Sequence, residues 1–109
     1  MKQYKVVMTS AAARDLDDLF DYIADHDSVE RADQVVAKIE EAISKLDLFP
    51  ERGAHPRELS AIGVRQYREV HYKPYRIVYR ASATQVNVIL IVDGRRDMRA
   101  LLTRRLLGA

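Results

Sequence analysis

Between Ala11 and Leu46 the apolar residues of this chain recur every three or four positions; beyond Gly63 they do not. That change of period separates a helical half from a β half, and it leaves few folds open. In the first run Ala12, Leu16, Leu19, Phe20 and Ile23 form one stripe, with Asp15, Asp17, Asp18 and Asp21 along the other face. Thr9 or Ser10 is placed to cap this helix, and its early acids lie near the positive end of the helix dipole. Asp25-His26-Asp27-Ser28 breaks the pattern before a second stripe of Ala32, Val35, Val36, Ile39, Ile43 and Leu46. Pro50 and Gly53 stop the second helix, so the two are expected to form an antiparallel hairpin.

The β half reads as three strands, Val64 to Tyr72, Tyr75 to Ala81 and Val86 to Val92. Lys73-Pro74 and Ser82 to Gln85 are connections short enough for antiparallel hairpins. The run Val88-Ile89-Leu90-Ile91-Val92 is apolar without alternation, which predicts a strand covered on both faces. Tyr4 to Met8 predicts a further short strand at the start, and Arg52 to Gly63 an irregular connection. Asp97 is placed to cap a last short helix whose Met98, Leu101, Leu102 and Leu106 stand between arginines. The order β-α-α-β-β-β-α predicts an α+β fold, one domain over residues 1–109, with the helical hairpin packed on an antiparallel sheet. The other face of the sheet then needs a partner or must tolerate water.

Charge divides at nearly the same place. Residues 1–51 carry 6 Lys+Arg against 12 Asp+Glu, a net of −6, and residues 52–109 carry 12 against 4, a net of +8. Eleven of those twelve later cations are arginine, whose planar fork suits phosphate or carboxylate. Such a half is expected to meet an anionic partner, the alternative being acidic helices that neutralise a basic sheet within one domain. There is no cysteine, which excludes disulfides, thiolate metal sites and a cysteine nucleophile. No stretch approaches the apolar length of a membrane span and the N-terminus lacks a secretory signal, so the cytoplasm is the expected compartment. No His or carboxylate spacing suggests a metal site and no glycine loop suggests a bound phosphate, so neither metal nor cofactor is expected.

The run Pro74-Tyr75-Arg76-Ile77-Val78-Tyr79-Arg80, then Gly94-Arg95-Arg96-Asp97-Met98 and the Leu106-Leu107 ending, resembles the RelE/ParE superfamily of toxins from type II toxin-antitoxin systems. Ala13-Arg14-Asp15-Leu16 and Tyr22-Ile23 extend the resemblance over essentially the whole chain. RelE-like members cleave messenger RNA in the ribosome; ParE-like members bind DNA gyrase and block it without cutting RNA. RNA cleavage needs cations for the pentavalent phosphate and groups to move protons. By resemblance Arg76 and Arg96 match the two arginines of a RelE-like site. The lysine pair of RelE falls near Tyr67 and Glu69 here, however, its C-terminal tyrosine falls near Leu102, and the YoeB-type histidine is absent. Glu69 would repel a phosphate. The Asp93-to-Leu106 ending looks like the ParE pattern instead, so a gyrase inhibitor that is not an enzyme is favoured, of the kind associated with plasmid stabilization and growth arrest. A ribosome-dependent mRNA endoribonuclease is the alternative, and a non-toxic nucleic-acid-binding module is an alternative of another class.

The resemblance implies a cognate acidic antitoxin, a toxin-antitoxin hetero-oligomer, and antitoxin contacts at Leu16, Phe20, Arg76 and Arg80. Target binding is assigned to Arg95, Arg96, Arg99, Arg104 and Arg105, too many for the four nearby acids to satisfy. Arg76 also has a structural reading, pairing with Glu69 across a hairpin. Tyr67, Tyr72, Tyr75 and Tyr79 can stack on bases or fill a core. His71 can act as a general base or simply pack in its strand, and His26 and His55 receive no role.

Overall fold

The structure, a computed structural model, describes residues 2–107. Strand β1 (Lys5–Met8) leads into α1 (Ser10–His26) and α2 (Val29–Ser44), followed by a short helix α3 (Arg57–Ser60), strands β2 (Tyr67–Tyr72), β3 (Tyr75–Ala81) and β4 (Gln85–Asp93), and helix α4 (Met98–Leu107). Each long helix begins where a side-chain oxygen satisfies a free backbone amide. Thr9 Oγ1 accepts from the Ala12 N–H at 3.1 Å, and Ser28 Oγ from the Arg31 N–H at 3.0 Å. Asp97 does the same for α4 through the Ala100 N–H at 3.1 Å.

The sheet order is β1-β4-β3-β2. Strands β2, β3 and β4 are antiparallel neighbours, as their short connections require, but β1 lies parallel to β4. The sheet is therefore mixed rather than wholly antiparallel. Tight turns fix direction only from β2 onward, while β1 is tied to the rest through two helices and takes its direction from how they dock.

The hairpin covers one face through Leu16 and Ile23 of α1 and Val35, Ile39 and Ile43 of α2, which meet Ile77, Tyr79, Val86, Val88 and Ile91. The opposite face is not left open. Leu59 of α3 and Met98 and Leu102 of α4 bury Val78, Leu90 and Val92 in a second core. A register shift between Val78 and Tyr79 makes this possible: Val78 opposes Leu90 and Tyr79 opposes Val88, so Ile89 is the extra residue and the facing of β4 switches there. Val86 and Val88 then face the hairpin while Leu90 and Val92 face α4, which is why the apolar run does not alternate.

Two stretches of the connection differ from expectation. Arg52 to Gly63 contains α3, begun after Pro56 and followed by a turn that closes at Gly63, whose φ of 79° is a left-handed value. Val64 to Gln66 precede the strand rather than opening it, and Val64 packs into the second core. Ahead of α3 the chain lies along the outer edge of β2, where Ala54 and Glu69 exchange backbone hydrogen bonds of 3.2 and 2.8 Å. This segment is pinned from inside by Tyr79, whose buried hydroxyl donates to the Pro50 carbonyl at 2.6 Å and accepts from the Gly53 N–H at 3.1 Å. Tyr79→Phe orphans both groups in a desolvated place, and urea denaturation is expected to show a loss of about 2 kcal/mol.

Candidate functional site

The C-terminal arm begins where β4 runs out at Asp93. The Gly94 N–H donates to the Pro74 carbonyl at 2.8 Å, which turns the chain back over the second core. The five arginines assigned to target binding then fall into two groups. Arg95 folds onto Asp93, with Nε to Oδ1 at 2.9 Å and Nη2 to Oδ2 at 2.6 Å. That partner holds the Asp93 carboxyl below its ordinary pKa. Arg105 turns inward to Asp15 on α1, Nη1 to Oδ2 at 2.8 Å and Nη2 to Oδ1 at 2.9 Å, and is only about a quarter exposed. No ion pair among the described residues involves Arg96, Arg99 or Arg104, and all three are exposed. Asp97, Arg99, Ala100, Thr103 and Arg104 line a shallow recess on this outer side. The arm thus presents three cations rather than five.

Arg76 is differently placed. Its guanidinium makes four hydrogen bonds to two carboxylates: Nε and Nη2 to Glu69 at 2.6 and 3.1 Å, and Nη1 and Nη2 to Glu58 at 2.9 and 2.7 Å. The three side chains are 8–15% exposed. The direct bonds from Arg76 pull the Glu58 carboxyl down to about 2, and the two carboxylates raise the Arg76 guanidinium above its already high value. Glu58 is supplied by α3 and was not among the sequence candidates. A four-residue helix behind a proline has no apolar period to announce it. The aliphatic stem of Arg76 passes over Gly94, where an added Cβ would come within 2.6 Å of Arg76 Cδ.

The remaining candidates are scattered. Leu16 is buried in the hairpin core, so it supports α1 from within and offers no surface. Phe20 is half-buried beside the same core, and Arg80 is exposed on the outer side of β3. Tyr79 is fully buried, Tyr72 and Tyr75 stack at 6.5 Å against the first core, and Tyr67 packs on the second; these rings act in packing. His71 Nε2 lies 3.4 Å from Glu69 at the rim of the Arg76 cluster, and His55 Nδ1 lies 3.0 Å from the Tyr67 carbonyl. Asp17, Asp18, Asp21 and Asp25 are exposed on the hairpin, the layer opposite α4. None of the described helices is long and apolar enough to cross a membrane.

Residues 6–98 match the family described as ParE toxin of type II toxin-antitoxin system, parDE. Toxin ParE3 of Caulobacter vibrioides is 28% identical over 101 residues, spanning 93% of this chain and 97% of that protein. Among solved structures, the chromosomal ParDE system of P. aeruginosa aligns with a TM-score of 0.70 at 22% identity, over 84% of this chain and 96% of that one. The toxin-antitoxin complex RelBE2 of Mycobacterium tuberculosis aligns at 0.61 and 22%, over 84% and 98%. The fold is that of the RelE/ParE superfamily, and the chain belongs to the ParE toxin family of type II toxin-antitoxin systems.

Proposed function

We propose that this toxin acts by inhibiting DNA gyrase, engaging it through the arm at Arg96, Arg99 and Arg104, and that it does not cleave RNA. The observation that carries this reading is the state of Arg76. A RelE-like nuclease uses the matching arginine to hold the phosphate under attack, whereas here both sides of the guanidinium are already filled by Glu58 and Glu69. A phosphate approaching that position meets two carboxylates and a neutralised cation. In the arm, by contrast, Arg96 ahead of α4 and Arg99 and Arg104 on it are exposed and make no ion pair among the described residues. Purified toxin is expected to inhibit gyrase supercoiling in a dose-dependent way and to leave translated messages uncut in primer extension. Full supercoiling at saturating toxin, or cleavage at codons, removes the proposal.

Neutralisation by a cognate antitoxin belongs to the same reading, since both solved relatives named above come from toxin-antitoxin systems. An acidic antitoxin segment is favoured on the side of α4, where three arginines make no ion pair among the described residues, with Arg80 on the same side of the sheet. The outward aspartates of α1 would repel it, so contact near Phe20 would be apolar. A segment of this kind folds as it binds, and buried apolar area then supplies most of its affinity while charge sets register.

A further inference from the structure

We infer that Asp15 is a positioning residue for the arm: with Arg105 it latches the last turn of α4 into a gap in the sheet edge, and so fixes where Arg96, Arg99 and Arg104 are presented. The inference rests on the proposal that these arginines are the effector surface.

The gap arises because β1 is shorter than its neighbour. It pairs with β4 only from Gln85 to Val88, and the last rung is the Thr9 N–H to the Val88 carbonyl at 3.0 Å. Beyond it β4 continues to Asp93 with no strand among the described residues on that side. The exposed edge groups are met by side chains instead. Asp15 Oδ2 accepts from the Ile91 N–H at 3.0 Å, and Arg105 Nη1 donates to the Ile89 carbonyl at 2.7 Å. Since Asp15 and Arg105 also grip each other through two bonds, four groups from α1, β4 and α4 close in one cycle. An exposed ion pair would contribute little, but this one is partly desolvated, bidentate and bonded to backbone at both ends.

Helix α4 depends on this contact more than a longer helix would. It has 10 residues, too few to be stable alone. Its buried residues, Met98 and Leu102, lie in the first five positions, and Leu107 is 76% exposed. Near the end, Arg105 ties the helix to the body together with Leu106, which is half-buried against the second core. Once Arg105 is released, Leu106 alone holds the final turn, which frays more readily and loosens the relation of Arg104 to Arg99 and Arg96.

Asp15→Asn keeps an acceptor for Ile91 but loses the charge and the second oxygen that grip the fork; Arg105→Lys keeps the charge but, on a shorter side chain, has no second nitrogen for Asp15 Oδ1. Hydrogen exchange of the free protein is expected to accelerate on the order of tenfold in α4 in both variants, with β3 and β4 unchanged, as loss of one charge-assisted bond implies. The double variant should add little to either single one. In cells lacking antitoxin, both variants should need on the order of tenfold more toxin to arrest growth, although no presented arginine is altered. Unchanged exchange in α4 overturns the latch. Accelerated exchange with undiminished toxicity overturns the positioning role. Neither readout uses gyrase, so a failure of the gyrase proposal would appear separately, as normal toxicity with unaffected supercoiling.

Discussion

Arg76→Ala is expected to destabilise the protein by about 3–5 kcal/mol at neutral pH, because it leaves two carboxylates facing each other in a desolvated place without their counter-ion. Against a total stability of ~5–15 kcal/mol, a substitution that touches no core residue would then rank with the most damaging in the chain. The effect should shrink in acid. Glu58 has its folded-state pKa lowered to about 2 from an ordinary 4.5, so its contribution is complete above the unfolded value and is lost as pH falls towards the folded one. Between pH 5 and 2 the native protein should lose on the order of 3 kcal/mol through this group. Glu58→Gln should flatten that part of the curve, and in Arg76→Ala the same acid relieves the repulsion. Urea midpoints at pH 7 and about pH 2.5 for the three proteins provide the check; a gap between native and Arg76→Ala that does not narrow in acid would show that the damage is loss of packing.

The second large effect concerns activity. Replacing Arg96, Arg99 and Arg104 by alanine together is expected to abolish toxicity in cells lacking antitoxin and gyrase inhibition in vitro, with little change in thermal stability. None of the three holds an ion pair among the described residues, and surface changes of this kind usually alter stability by less than ~0.5 kcal/mol. Arg95→Ala should do much less, since its charge is already spent on Asp93. Antitoxin binding should weaken in the triple variant without disappearing, as the proposed mainly apolar contact implies. A triple variant that is folded and fully toxic would place the effector surface elsewhere.

The elements of this fold were legible wherever a period repeats over several turns or rungs. The stripes from Ala12 to Ile23 and from Ala32 to Leu46 gave the hairpin, and the run Val88 to Val92 correctly implied burial on both faces. What covers the second face was harder to read, because Met98 and Leu102 lie in a helix dominated by arginines. The direction of β1 was illegible for another reason: no short turn connects it to its neighbour. Side-chain partnerships were read only when local. Arg76 with Glu69 spans 7 positions on a hairpin and was visible as one of two readings. Arg76 with Glu58 spans 18 positions through an irregular segment, and Arg105 with Asp15 spans 90, and nothing in periodicity encodes either. Asp15 had one local sign, its place beside the buried Leu16 at the border of the apolar stripe rather than in the middle of the polar face.

The separation of charge between the two outer layers has a kinetic consequence. Away from the pocket that Asp18 and Arg96 line together, the aspartates of α1 and the arginines of α4 face opposite sides of a molecule whose shortest dimension, 22 Å, exceeds the screening distance of ~8 Å at physiological ionic strength. An approaching macromolecule therefore feels one layer at a time and not their near-zero sum. An anionic partner is turned away from the aspartates of α1 and drawn to α4 before any contact forms, so the toxin arrives with its arm leading. Such torque raises the rate of encounter while leaving the rate of escape to short-range packing. Added salt should then slow capture of the toxin much more than it hastens release, giving a cell with little free antitoxin a race decided by collision rates.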